Sequence, residues 1–418
     1  MVDLAPQPES ARAAAAATPG VVAGAPWQRF VKANVVQLTL VVSNAIAHAV
    51  LGWVGVAWFG LTWWPWLLVP FALLSGLLTL QTCFPDRHVG SVTRLLREAL
   101  MVYTSTLIVA TPLVLLAAVL PALALPDFDA TTLESFVQIA APSAYAAAFL
   151  LAGWAIVICR RWVRVTDTAI PLAHLPREFD GYTIAHLSDL HVGSTDSKVV
   201  ALKWVALANR CAPDLIVITG DLVTKGSAFY RDVCDVVAEL RARDGVCVCL
   251  GNHDLHDADA LASGLERAGA LVLRDRWHAW VRGGARLIVA GVDPGGSLEA
   301  TLGDRPRDGY TVLLAHYPAM FERTRGWGVG LMLSGHTHGG QVGIPWFGDK
   351  ANVATFTGQR GRGLAESGAS RLFVSAGLGT TGVPFRLGVR PEMAYLRLRC
   401  APPTLSRTPA RPDEIDCF

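Results

Sequence analysis

From residue 33 to 85 the chain has no Asp, Glu, Lys or Arg, and its apolar positions run on without a surface period. One membrane span takes about 20 apolar residues, so this stretch predicts two spans, broken near Trp63-Trp64-Pro65. The charge-free runs 99–126 and 135–159 predict a third and a fourth. Trp53, Trp58, Trp63, Trp64 and Trp66 gather around the first break, where an aromatic belt meets the interface. From about 165 the pattern changes to short apolar runs at 182–187, 215–219, 246–250, 287–290, 311–315, 330–333, 372–375 and 394–398. Helical patterns at 198–210 and 231–243 separate the early ones. Such alternation predicts an α/β domain. The Ala- and Pro-rich start lacks the basic and apolar regions of a signal peptide. The expected division is a disordered tail over 1–26, a four-span region over 27–164, the α/β domain over 165–402 and a flexible tail over 403–418.

Composition adds little until it is divided. The apolar share is 52% and the charged share 17%, with the charge concentrated after the spans. A net charge of +2 argues against a specific nucleic-acid surface. The eight cysteines are scattered without a CxxC pair, which reads as free thiols in a reducing compartment. Arg29 and Lys32 precede the first span, Arg87, Arg94 and Arg97 lie between the second and third, and Arg160, Arg161 and Arg164 follow the fourth. The other connections hold no Lys or Arg. The positive-inside rule then puts both ends, and the α/β domain, in the cytoplasm of a cell whose inner membrane carries the spans. His48, alone within the first span, is expected to hydrogen-bond a neighbouring helix.

The chemistry collects where the apolar runs end. The first closes in Ser188-Asp189-Leu190-His191, the next in Gly220-Asp221, and the third in Gly251-Asn252-His253-Asp254. His316 follows the fifth, and Gly335-His336-Thr337-His338-Gly339-Gly340 the sixth. In extended chain residues i and i+2 share a side, and flanking glycines let the backbone turn tightly. Each motif alone has an ordinary explanation as a turn or a satisfied histidine. Five in order, each closing a strand, point to a metal site at the carboxyl ends of a sheet.

In this order the motifs resemble the calcineurin-like metallophosphoesterases, from about 184 to 399. The segments 335–343 (GHTHGGQVG) and 375–392 look like that family's bacterial membrane-linked branch. The resemblance implies an α/β (α+β) four-layer sandwich of two mixed β-sheets flanked by helices, here preceded by an all-α transmembrane region of about four helices. It implies two divalent ions, Asp189, His191, Asp221 and His338 binding one, and Asp221, Asn252, His316 and His336 the other. Mn²⁺, Fe²⁺/Fe³⁺ or Zn²⁺ suits the mixed nitrogen and oxygen donors. His253, held by Asp254, would protonate the leaving oxygen after attack by metal hydroxide. Arg386 and Arg390 either fork a phosphate or sit as a solvated surface pair.

The expected activity is that of a metal-dependent phosphoric ester hydrolase acting on a phosphodiester or pyrophosphate. Its location beside the lipid bilayer makes a lipid-linked substrate the leading class. The alternatives are an enzyme for soluble nucleotides that uses the spans as an anchor, and a membrane sensor or transport protein with a ligand-binding metal domain.

Overall fold

The computed structural model describes residues 35–81, 83–124, 130–344, 351–401 and 413–416. The tail expected over 1–26 lies outside the described residues. Four helices come first: α1 (Val35–Phe59), α2 (Trp64–Gln81), α3 (Ser91–Ala124) and α4 (Ala130–Gly153). All four are long and apolar enough to cross a membrane. Inside them Asn44 Nδ2 donates to Ser75 Oγ at 2.9 Å, and His48 bonds Tyr103 of α3 at 3.0 Å. These bonds tie α1 to its neighbours through polar groups that lipid cannot satisfy.

A π-turn (Trp154–Ile158) and a 3₁₀ turn (Cys159–Arg161) carry α4 into the second part of the chain. The strands are β1 (Arg164–Ala173), β2 (Thr183–Leu187), β3 (Leu215–Thr219), β4 (Val246–Cys249), β5 (Leu271–Val272), β6 (Arg276–Arg282), β7 (Ala285–Val292), β8 (Tyr310–Ala315), β9 (Val329–Ser334), β10 (Gly363–Ser367), β11 (Ser370–Val374), β12 (Glu392–Ala401) and β13 (Asp413–Asp416). One sheet has the order β13-β1-β12-β2-β3-β4-β5 and the other β10-β11-β9-β8-β7-β6. Within the stretch expected to be a flexible tail, Asp413–Asp416 pairs antiparallel with β1 and extends the first sheet.

Alternation assigns each strand residue to a layer. Leu215 and Val217 of β3 meet Val289, Val312 and Leu331 of the other sheet in a core between the sheets. Ile216 and Ile218 turn outward onto α5 (Lys198–Arg210), α6 (Tyr230–Ala238) and α7 (Ala258–Arg267). The far face of the second sheet is covered by α8 (Leu298–Leu302) and by Met320 and Phe321. The result is helix, sheet, sheet, helix. Strands covered on both faces read as unbroken apolar runs, which is why β3, β4 and β8 stand out in the sequence. β1, β6 and β10 give no such run, being partly exposed strands with charged or small residues. Trp277, Trp280 and Trp327 pack against the cores.

The helical and sheet parts are joined through buried charge. Arg160 is 3% exposed. Its guanidinium donates to Glu98 of α3 at 2.9 Å and to Asp196 of the sheet domain at 2.8 Å, and its Nε to the Ile156 carbonyl at 3.0 Å. Arg161 adds a second bond to Glu98 at 2.5 Å. Removing one member of a buried charge network strands the others and costs about 3–5 kcal/mol. Arg160→Met is therefore expected to lower the melting temperature of the full chain in detergent clearly. An unchanged melting temperature would show that this network does not carry the junction.

Candidate metal centre

Strands β2, β3 and β4 are parallel neighbours, as are β8 and β9. Their carboxyl ends therefore open at one edge, where the five motifs meet. Asp189, His191, Asp221 and His338 place ligand atoms within 4.8 Å of one another, and so do Asp221, His316 and His336. Asp221 belongs to both groups. Its Oδ2 lies 3.5 Å from His191 Nε2 and 3.3 Å from His316 Nε2. Asn252 Oδ1 is 3.1 Å from His316 Nε2. His191 and His338 face each other through Nε2 at 3.1 Å, and His336 Nδ1 faces His316 Nε2 at 3.2 Å.

The backbone is bent hard to bring these groups in. Asp189, His191, Asp221, His336 and His338 all have positive φ, between 44° and 70°. Non-glycine residues avoid that region, and strain of this kind gathers at functional sites. Two glycines keep the cradle open. A Cβ on Gly335 would stand 1.8 Å from Ser188 Oγ and 2.3 Å from Asp189 Oδ2, and one on Gly251 2.2 Å from Asp221 Oδ1. The flanking glycines of the motifs are thus close-approach positions, not only turns.

The donor set fits two cations. Burial lowers the pKa of His191 to about 3 and of His336 to about 4, and lowers His338 as well. Their ring lone pairs are thus available. Burial pushes the Asp221 carboxyl up, but the charge and hydrogen bond of His316 outweigh it and keep it ionised. His316 answers in kind. Burial lowers its pKa, and the Asp221 charge more than restores it, to about 9. Its Nδ1 donates to the Thr219 carbonyl at 2.8 Å, so Nε2 is the atom turned to the site. Carboxylate oxygens and imidazole nitrogens converging at these distances suit a cation between them, and displacement of the His316 proton by an ion is the ordinary course of such binding.

Three expected roles change in the structure. Asp254 does not hold the His253 ring. Its carboxylate accepts from the backbone N–H groups of Gly251 at 2.8 Å, Leu222 at 2.9 Å and Val223 at 3.3 Å, so it pins two ligand loops together. The His253 ring donates from Nδ1 to the Thr224 carbonyl, which leaves Nε2 facing the site 4.0 Å from Asp221 Oδ2. Arg386 is fully buried, donating to the carbonyls of Ala376, Gly377 and Gly379. It props the loop whose Leu378 and Gly379 N–H groups bond Ser188 and Asp189. Arg390 donates to the Trp162 carbonyl and stacks 4.1 Å from the Trp162 ring. Both guanidiniums thus give donors to backbone carbonyls near the domain junction, and Arg386 is not the solvated surface residue of the second expectation.

The sequence also gave no sign of the connection between α2 and α3 as part of the site. Asp86 accepts from Ser194 N at 2.7 Å and donates its own N–H to the Lys225 carbonyl at 3.0 Å. Lys225 Nζ donates to the Cys83 carbonyl. His88 bonds the Ala228 carbonyl at 3.0 Å and lies 4.2 Å from the Phe229 ring. Thr224, next to Lys225, both holds His253 and donates to the His191 carbonyl at 2.8 Å. In the sequence the basic residues of this connection signal only orientation. Above His253 and Asn252 a chamber of about 500 Å³ is walled by Asp86, Ser194, Thr224 and Lys225 together with Phe84, Pro85, Arg87 and Arg97. The exposed His256 is on its rim.

Two candidate ligand sets sharing one carboxylate, at the strand ends of a two-sheet sandwich, are the arrangement of a two-metal hydrolase. Residues 182–340 match the model of the calcineurin-like phosphoesterase family. The metallophosphoesterase YkuE of Bacillus subtilis is 30% identical over 262 residues, 59% of this chain and 89% of that protein. A transmembrane protein with a metallophosphoesterase domain from Danio rerio is 27% identical over 60% of this chain, and its counterpart from Bos taurus 30% over 57%. This chain spans 61% and 57% of the length of those two. The chain belongs to the calcineurin-like metallophosphoesterases.

Proposed function

We propose that the protein hydrolyses a lipid-borne phosphodiester or pyrophosphate at the cytoplasmic face of the inner membrane, using two Mn²⁺, Fe or Zn²⁺ ions. The observation that carries this reading is the chamber over Asn252 and His253, half of whose wall comes from the membrane-spanning part and its α2–α3 connection. A chamber built only to serve soluble nucleotides would not need that wall. The orientation rests on the basic flanks of the first, second and fourth spans.

Two divalent ions, when bound, supply Lewis acidity toward phosphoryl oxygens and an acidified water for in-line displacement. Asp189, His191 and His338 would hold one, Asn252, His316 and His336 the other, with Asp221 between them. Asp254 and the Ser375–Gly379 loop keep these ligands from relaxing. His253 has its Nδ1 proton committed to Thr224, so Nε2 is the atom positioned to carry a proton to the leaving oxygen. The cationic side chains of Arg87, Arg97 and Lys225 line the way in and favour an anionic headgroup.

The full chain, reconstituted in nanodiscs with Mn²⁺, is expected to hydrolyse a chromogenic phosphodiester and to lose that activity to chelator. It should turn over a diacyl phosphodiester in the same disc faster than a soluble dinucleotide. Equal rates would reduce the spans to an anchor. Silence with both ions bound would overturn the hydrolase reading.

A further inference from the structure

A second, larger space adjoins the chamber. It measures about 850 Å³ and runs between α1, α2 and α3 on one side and the 340–342 and 381–385 segments of the α/β domain on the other, lined by residues such as Leu40, Leu78, Leu100, Ile108, Val383 and Phe385. No Asp, Glu, Lys or Arg is among its lining residues. Gln37, Leu78, Met101, Thr381 and Gly382 line both spaces, so they meet along a shared wall. On α3 the lining positions Leu100, Met101, Thr104, Ser105, Ile108 and Val109 recur at helical spacing and form one face. At 1.5 Å per residue that face is about 14 Å long, near half of a hydrocarbon core of about 30 Å. Val35 and Val109 on its rim are 55% and 36% exposed, so the groove opens to the outside of the helix bundle.

We infer that this groove is the acyl-chain site of the substrate, through which a phospholipid of the adjoining leaflet enters sideways and brings its phosphate into the chamber at His253 and Asn252. The inference rests on the phosphoesterase reading and names the substrate class of the same site. Three observations commit the groove to a hydrocarbon chain. Its length matches one leaflet. Its walls are uncharged, while the chamber it meets carries Arg87, Arg97 and Lys225. The one carboxylate in the chamber wall, Asp86, is turned onto the backbone amides of Arg87 and Ser194. The order from bilayer to metal site is thus apolar, cationic, then metal ligands, which is the order of tail, phosphate and scissile bond in a membrane lipid. A lipid sliding in this way never exposes its chain to water. The groove's gain is orientation, since hydrocarbon leaving a bilayer for an apolar wall gains nothing from burial.

The test uses the full chain in nanodiscs containing a diacyl phospholipid with a diazirine at mid-chain. Photolabel is expected on 100–109 and 383–385 in excess of the bilayer-facing Leu113 and Leu116, which are 52% and 51% exposed. Ser105→Trp, which fills the groove, should lower the ratio of kcat/KM for a long-chain phosphodiester to that for a short soluble one by about tenfold or more. Leu113→Trp, outside the groove, should leave the ratio alone. Label spread evenly over groove and outer faces, or an unchanged ratio in Ser105→Trp, overturns the proposal. If Ser105→Trp does not insert, the labelling of the unaltered chain decides. If the unaltered chain hydrolyses no phosphoester, the hydrolase reading falls, while the labelling still decides the groove.

Discussion

Asp221→Asn is expected to lower kcat on any phosphoester by about a thousandfold and to reduce the metal bound per chain. The amide keeps the size of the carboxylate but removes the charge that both ligand sets share, 3.5 Å from His191 and 3.3 Å from His316. Stranding a buried charged group in this way costs about 3–5 kcal/mol, and each 1.36 kcal/mol is tenfold in rate. The variant also loses the acceptor for the His253 N–H, bonded at 2.9 Å to Asp221 Oδ1, only if the amide turns its NH₂ that way. Metal analysis beside the rate separates lost ions from a misplaced loop. Two tightly bound ions with an unchanged rate would show that Asp221 is not the shared ligand.

His253→Ala is expected to keep both ions and to act selectively on the leaving group. Its ring is partly exposed, with a side-chain exposure of 27%, and it stands outside both candidate ligand groups. General acid catalysis contributes about 10²–10⁴-fold. That loss should appear in full for an alkyl phosphodiester, whose leaving alkoxide needs a proton. A 4-nitrophenyl ester, whose leaving anion is stable unprotonated, should lose little. Equal losses on both esters would mean that His253 positions substrate instead of delivering a proton.

Much of the candidate site is legible in the sequence because its chemistry is written at the ends of strands buried on both faces. Such strands are recognisable as unbroken apolar runs, and Asp189, His191, Asp221, Asn252, His316, His336 and His338 follow them within a few residues. Legibility fails where a role depends on what a side chain meets after folding. Asp254 stands beside His253 in sequence, yet a left-handed turn at Asp221, with φ 53°, brings the Leu222 and Val223 amides onto its carboxylate. Thr224, from another loop, then supplies the acceptor for His253. Arg386 has the residue type of a phosphate clamp, but its full burial commits its donors to the Ala376–Gly379 carbonyls.

The same division holds for the membrane part. Charge-free length by itself determined four spans, because hydrocarbon excludes charge whatever the helices pack against. Motif order by itself carried the resemblance to the family, because the ligand types recur in sequence at the ends of apolar runs. Only the tertiary structure decided that the spans wall the chamber over the metal site. That depends on contacts such as Asp86 with Ser194 and Lys225, and Arg160 with Glu98 and Asp196. These pairs lie 36 to 139 residues apart, and nothing in the local pattern of either partner records the other. Leu100 and Ile108 share one face of α3. Whether that face meets lipid, protein or an open groove was fixed by how α1 and α2 lean against it.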